Sequence, residues 1–435
     1  MVYLKFFKFI FLTGIFLTCT LACTNAVPIT NSSAKVYVQK TEGGFMLIRN
    51  DKPFEVKGAA GNSHLQELKE AGGNTIRLYD TIDLRKNLDA AHELGLAAIV
   101  DIPLPKHGDG SYFYEKDLTA AKRKISAVVL RHKDHPALLY WNVGNELYYP
   151  TFYQTTKFFD SFNSLVDLVK KTDPDHPVST AIIGGNRRRL ASVALKSPNL
   201  DLISINSFGN LTELKERMEP IKLLWDGPYV ITEWGVNGPW EEARTMWGAP
   251  IEQNSVEKAR ILGDRYNTAA IQSPNCLGSV VFFWGTKQER THTWFSFFWN
   301  NNKSETYNKI KSLWNKDPLA YNGPRMGPIK IEKLDARSNV ILSTGVKTNA
   351  TVSLEKSIPD SLKFTWEIRK EAWSKIEEQQ PIEKDLILEN SGENVVFKAP
   401  QEEGPYRLFV YVTDDENNFS TTNIPFYVLN PENGE

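Results

Sequence analysis

Between about residues 45 and 320 the chain alternates, eight times, a short apolar run with an amphipathic helical pattern. That alternation constrains the fold more than any other feature. A run such as Leu138-Leu-Tyr-Trp-Asn-Val143 is apolar on both faces, as a parallel strand covered on both sides must be. Similar runs are Thr75–Tyr79, Leu96–Ile102, Pro177–Ile183, Leu202–Asn206, Tyr229–Thr232 and Gly278–Phe283, with the first strand expected just before Gly58. Between them, sets such as Leu84, Leu88, Ala91 and Leu94, or Phe158, Phe162, Leu165 and Val169, recur at helical spacing. Eight such units fit the roughly 250 residues of a (β/α)8 TIM barrel, an α/β fold. No period of about 20–50 residues is present, which excludes a solenoid.

The flanks read differently. Residues 45–58 hold two short apolar runs about Asn50-Asp51-Lys52, a hairpin leading into the barrel. The pattern breaks near Asn322-Gly-Pro-Arg-Met-Gly-Pro328. After it come short strand-like runs at Val340, Ala350, Leu362–Ile368, Asn394–Phe397, Tyr406–Val412 and Ile424–Val428. Turn signals separate them, which predicts an all-β immunoglobulin-like sandwich over residues 329–430. The catalytic barrel is expected over residues 41–322.

The N-terminus reads as a signal. Lys5 and Lys8 accompany an apolar stretch, Phe6–Leu17, too short to span a bilayer comfortably. Thr20-Leu21-Ala22-Cys23 resembles a bacterial lipobox. It predicts a signal peptide over residues 1–22, lipidation of Cys23 and a polar tether over residues 23–40. Cleavage there leaves Cys23 and Cys276 as the mature cysteines, and with Cys23 acylated no internal disulfide forms. An ordinary secretory signal is the alternative. The expected location is the cell envelope, with membrane contact only through the lipid.

A formal net charge of −1 gives no electrostatic reason to expect nucleic acid or an anionic membrane as partner. The aromatic share of 11% fits carbohydrate, whose apolar faces stack on rings, and fits large aromatic cores equally.

Chemistry concentrates where two apolar runs end. Asn145-Glu146 closes the fourth, with Tyr148 just beyond; Glu233 closes the seventh, in Tyr229-Val-Ile-Thr-Glu-Trp-Gly235. In such barrels catalytic groups sit at the C-terminal ends of the strands. Two carboxylates across the mouth can cleave a glycosidic bond, one protonating the leaving oxygen and the other attacking the anomeric carbon.

With Arg77 in Asn74-Thr-Ile-Arg-Leu-Tyr79 and Trp284 after the eighth run, this set resembles the clan of retaining β-glycosidases built on TIM barrels. His132-Lys-Asp-His-Pro136 is similar to a run in family-2-like catalytic domains. The resemblance implies that Glu146 is the acid/base and Glu233 the nucleophile. It implies further that Asn145 binds the sugar 2-hydroxyl, Arg77 keeps Glu233 ionised, and Trp284 floors the subsite of the reacting sugar. Glu146, with no such cation, is then expected to hold its proton near neutrality. One departure is Phe208, standing where the clan commonly has a Tyr or His that bonds the nucleophile. Asn206 or Tyr79 is expected to take over that bond. Tyr148, His107, Asn206 and Trp240 are further substrate-binding candidates.

His132 and His135 lack acidic partners at ligand spacing and read as structural; no metal or cofactor is required. Arg187-Arg-Arg189 reads as a solvated loop, with an anionic sugar as the alternative. The expected substrate is an oligo- or polysaccharide, with β-1,3-glucan attacked internally as the first reading. The alternatives are an exo-acting β-galactosidase, β-mannosidase or β-glucuronidase, a transglycosylase, or a non-catalytic surface glycan-binding protein. Because all motif residues precede the linker, the sandwich is expected to be dispensable for chemistry but not for solubility.

Overall fold

The computed structural model describes residues 35–106, 115–151, 153–154, 157–184, 186–270, 273–318, 321–355, 361–373 and 378–430. Cys23 and its flanking signal lie outside the described residues, as does His107. No helix among the described residues is long and apolar enough to cross a membrane.

A three-stranded antiparallel sheet comes first: β1 (Val36–Lys40), β2 (Phe45–Arg49) and β3 (Lys52–Pro53). Its strands are tied to residues that precede barrel strands, Val36 N–H to the Asp175 carbonyl and Phe45 N–H to that of Pro274. The sheet therefore caps the barrel's N-terminal end, and residues 36–40 are strand, which corrects a tether running to residue 40.

The barrel strands are β4 (Val56–Ala60), β5 (Thr75–Leu78), β6 (Ala97–Ile102), β7 (Leu138–Asn145), β8 (Val178–Ile183), β9 (Ile203–Asn206), β10 (Tyr229–Trp234) and β11 (Cys276–Val281). They pair in chain order and close through β11 and β4. All eight apolar runs of the sequence are strands of this ring. A helix follows each strand: α1 (Leu65–Glu70), α2 (Leu84–Glu93), α3 (Glu115–His132), α4 (Phe158–Thr172), α5 (Arg187–Lys196), α6 (Leu214–Met218), α7 (Ser255–Arg265) and α8 (Glu305–Asn315). Phe158, Phe162, Leu165 and Val169 of α4 are buried as their spacing requires. His135 serves structure, its ring bonding Asp89 at 2.9 Å and the Ala137 N–H at 3.2 Å.

After β11 the chain forms two short strands, β12 (Phe298–Trp299) and β13 (Asn302–Ser304), before α8. The C-terminal unit holds β14 (Lys330–Ile331), β15 (Ile341–Ser343), β16 (Lys347–Thr351), β17 (Lys363–Lys370), β18 (Ile387–Asn390), β19 (Asn394–Lys398), β20 (Gly404–Thr413) and β21 (Asn418–Leu429). One sheet runs β14-β16-β19-β18; the other runs β12-β13-β21-β20-β17, with β15 also on β21. They enclose Trp366, Ile368, Phe397, Leu408, Val410 and Phe426. This is the two-sheet sandwich expected, but one of its sheets continues into the barrel's own loop.

Buried polar contacts reinforce that junction. Glu252, just ahead of α7, accepts bonds from Lys258 (2.5 Å), Thr291 (2.6 Å) and Asn423 (2.7 Å). Arg407, 1% exposed, donates to Glu371, Asn423 and the Pro250 carbonyl. Trp299 stacks on Tyr411 with ring centres 4.4 Å apart, and His292 bonds the Tyr411 hydroxyl. The sandwich thus holds the loop after β11 in place, so it is not independent of the site. A chain ending at Pro328 uncovers these apolar and half-paired polar groups together. It should aggregate or melt at least ~10 °C lower, read by size-exclusion chromatography and circular dichroism. A monodisperse, fully folded barrel from that truncation contradicts this reading of the interface.

Candidate active site

Arg77 organises the C-terminal mouth of the barrel. It lies on β5, is fully buried and makes six hydrogen bonds. Nε and Nη2 grip both oxygens of Asp101 on β6, at 3.2 and 2.8 Å. Nη1 reaches Glu233 Oε1 (2.9 Å), Asn206 Oδ1 (3.1 Å) and the Thr232 carbonyl (3.0 Å), while Nη2 also reaches Asn145 Oδ1 (3.0 Å). A guanidinium is the one side chain with enough fixed donors for this task. Burial alone would lower its pKa, but the charges of Asp101 and Glu233 outweigh that and hold it protonated.

Asn206 ends β9 beside Glu233 on β10. Its oxygen accepts from Arg77 and Thr232, which fixes the amide orientation, so its nitrogen donates to Asn145 Oδ1 (3.0 Å) and Glu146 Oε1 (2.9 Å). A continuous chain of hydrogen bonds therefore joins the two acids: Glu233, Arg77, Asn206, Glu146. This revises the role expected of Asn206, which bonds Glu146 rather than Glu233. It is Tyr79 that faces Glu233, its ring against the Arg77 guanidinium at 4.6 Å. The buried Tyr79 hydroxyl acts on Glu233 but lies outside ordinary hydrogen-bond geometry. Burial, followed by the charge of Glu233, keeps its proton on.

Glu146 follows the last residue of β7 with φ of 53°, a left-handed backbone that costs a non-glycine residue of order 1 kcal/mol. The bond from its N–H to the Ala181 carbonyl (2.9 Å) secures the turn. Its side chain is 25% exposed, and Lys106 Nζ stands 3.5 Å from Oε2.

Glu233 is the more buried acid, and its pKa is pushed up to about 7. Burial is the largest cause; Glu146 raises it further, while Arg77, Lys287 and Tyr79 lower it. Arg77 therefore opposes the effect of burial on Glu233 without cancelling it. Its guanidinium is already shared with Asp101, and Glu146 has a cation of its own in Lys106. The two acids thus sit in different surroundings, and the charge of Glu146 acts on Glu233.

This has a stability consequence with a definite sign. Below the ordinary glutamate value of 4.5, Glu233 is protonated whether folded or unfolded, and its stabilising share is complete. As pH rises through about 7 that share is lost. Glu233→Gln cannot ionise, so it should match the parent near pH 4 and exceed it near pH 8, by up to about 3 kcal/mol. Urea melts at the two pH values test this; equal gains at both would refute it.

A cleft of about 450 Å³ opens above the two acids. Asn145, Asn206 and Trp240 border it as the sequence reading expects, Trp240 being 54% exposed. Trp284 does not. It is 1% exposed, packed on Phe297, Phe298, Tyr307 and Trp314, with its N–H on the His64 carbonyl. The ring that reaches the cleft from this end of the barrel is Phe282. Phe208 borders the cleft too, edge-on to Phe282 and Trp240. Tyr148, 49% exposed, stands outside the cleft wall. Sequence reasoning missed Asp101, Lys106, Lys287 and Glu289; the last two border the cleft 3.5 Å apart.

Residues 111–255, a span containing both acids, match the family described as glycosyl hydrolases family 2, TIM barrel domain. That segment of the barrel is similar to the family's catalytic domain. A β-glucuronidase of Streptococcus agalactiae is 24% identical over 249 residues, 46% of this chain and 39% of its own length. The chain also resembles two crystal structures in fold. One is a Bacteroides uniformis β-glucuronidase, with TM-score 0.50 and 14% identity over 91% of this chain and 48% of that one. The other is an Eisenbergiella tayi β-galacturonidase bound to galacturonate, with TM-score 0.50 and 16% identity over 66% and 55%. This chain spans well under two thirds of each of these proteins. Their names fall with the exo-acting alternative, and the β-1,3-glucan reading finds no support among them.

Proposed function

We propose that this chain is a retaining β-glycoside hydrolase that removes a terminal β-linked sugar, the group in which β-glucuronidases fall. The observation that carries the proposal is the hydrogen-bonded chain from Glu146 through Asn206 and Arg77 to Glu233 at the barrel mouth. A protein that only binds glycan gains nothing from a buried acid pair, whose desolvation costs stability.

The productive state has one proton on the pair, on Glu146, with Glu233 ionised against Arg77. Glu146 donates that proton to the glycosidic oxygen as the bond to the anomeric carbon breaks. A Glu233 oxygen attacks the same carbon and forms a glycosyl ester. With the Glu233 charge consumed, Glu146 is left ionised and takes a proton from water, whose oxygen attacks the anomeric carbon and releases Glu233. Asn145 uses its oxygen toward Arg77 and Asn206, so its amide nitrogen is the donor left for the sugar 2-hydroxyl.

The names of the relatives support a terminal uronic sugar rather than an internal β-1,3-glucan bond. A panel of 4-nitrophenyl β-glycosides (glucuronide, galacturonide, galactoside, mannoside, glucoside), read by nitrophenolate release, tests this. Cleavage of at least one, with laminarin untouched, is expected. Release of internal laminarin fragments with no aryl glycoside cleaved would overturn the exo-acting reading.

A further inference from the structure

The wall of the cleft on the β8 side ends in Ile183 and Gly184, and three residues later the chain carries Arg187, Arg188 and Arg189 in the first turn of α5. Arg187 and Arg188 are exposed, and among the described residues no carboxylate stands within ion-pair distance of any of the three. Three adjacent cations without counter-charges give this rim a positive potential that attracts anions. Arg189 is not simply solvated, because its guanidinium lies 5.8 Å from the centre of the Tyr148 ring. Tyr148 is two residues beyond Glu146, so their Cα atoms lie within about 7 Å of each other. It is also 49% exposed, a large apolar face with water on it.

Position gives this patch its meaning. The group that leaves in the reaction departs on the side of the proton donor, and the patch sits on the segments after β7 and β8, beside Glu146, whereas Glu233 lies on β10. Arginine forks match carboxylate and sulfate oxygens in geometry as well as charge. A flat aromatic next to them suits the apolar face of a sugar ring.

We propose that Tyr148 and Arg187–Arg189 form a subsite for an anionic saccharide unit, bearing carboxylate or sulfate, on the leaving-group side of the cleft. The inference rests on the assignment of Glu146 as proton donor. It adds that the natural substrate is an acidic glycan whose terminal sugar is removed from a charged neighbour. Small aryl glycosides would miss the subsite altogether.

The test uses the full chain and calorimetric titration with three probes: oligogalacturonate for carboxylate, carrageenan oligosaccharides for sulfate, and cello-oligosaccharides as the neutral control. At low salt at least one anionic probe should bind about tenfold or more tightly than the neutral one, and the advantage should shrink as salt rises. The triple variant R187A/R188A/R189A should lose about tenfold to a hundredfold in affinity for that probe and nothing for the neutral one. The corresponding triple lysine variant should recover part of the loss, and Tyr148→Ala should weaken all saccharides that reach the patch. Hydrolysis of 4-nitrophenyl glycosides by the arginine variants should stay at the parent rate, which also shows that they are folded. Equal affinity for all probes, binding of none, or an alanine triple that binds anions as the parent does would overturn the subsite. Failure of the parent to cleave any aryl glycoside would instead overturn the proposed activity, since the titrations do not depend on turnover.

Discussion

Glu233→Ala should abolish hydrolysis of an activated β-glycoside and, with azide added, yield the α-glycosyl azide. Without the Glu233 carboxylate no glycosyl-enzyme forms, and the loss should be of order 10⁴-fold or more in kcat. The small anion fills the vacated space and attacks the anomeric carbon directly, with one inversion. Glu146→Ala should behave in the opposite way. A good leaving group needs little protonation, so the first step survives while water attack stalls for want of a base. Azide needs no base; it should accelerate turnover and give the β-glycosyl azide after two inversions. The anomers, separated by proton NMR, distinguish the two roles more sharply than inactivity does. Exchanged anomers would reverse the assignment.

Arg77→Ala should cost about 3–5 kcal/mol of stability at neutral pH, because it strands Asp101 and Glu233 in the barrel without a cation. The carboxyls can escape by taking protons, and the pKa of Asp101 is already raised by burial even beside Arg77. The folded-state pKa values rise further in the variant, so stability present at low pH is lost as pH increases. The penalty should therefore be smaller near pH 5 than near pH 8. Arg77→Lys keeps the charge but cannot span six acceptors and should recover little activity. Asp101→Asn tests the sharing of the guanidinium. With its main rival gone, Glu233 should ionise more readily, and the acid limb of kcat/KM should move to lower pH. An unmoved limb would mean that Asp101 does not compete for Arg77.

The barrel was legible because each strand is buried on both faces and each helix on one, and both periodicities act over neighbouring residues. Glu146, Glu233 and Arg77 were legible because each ends or occupies such a run. What the sequence hid are pairings set by distant residues. Asp101 looks like a lone polar residue in Ala97-Ala-Ile-Val-Asp-Ile102 until ring closure brings it to Arg77. Trp284 lies three residues past the last ladder residue of β11, where strand alternation no longer aims a side chain, and α8 claims it through Tyr307 and Trp314. β18 escaped notice because most of its residues are exposed and carry no apolar alternation. β12 and β13 escaped because they are only two and three residues long and join a sheet only where β13 meets β21, more than a hundred residues away.

Burial and a second cation bear on the charges that analogy implies. Arg77 is present as the resemblance required, yet burial still carries Glu233 to about 7. Lys106, which nothing in the sequence pattern linked to Glu146, stands 3.5 Å from it. Because burial raises the pKa of Glu233, the acid limb of kcat/KM should lie above that of an ordinary glutamate.

The central claim, that Glu233 attacks the sugar while Glu146 moves the proton, is tested most directly by trapping. A 2-deoxy-2-fluoro-β-glycosyl fluoride of the sugar the protein cleaves fastest slows both steps but leaves rapidly in the first, so the glycosyl-enzyme accumulates. Mass spectrometry of the digested protein should find the fluorosugar on the peptide holding Glu233, with Glu146 unlabelled. A label on Glu146, or a first-formed product of α configuration from the unmodified protein, would contradict the account.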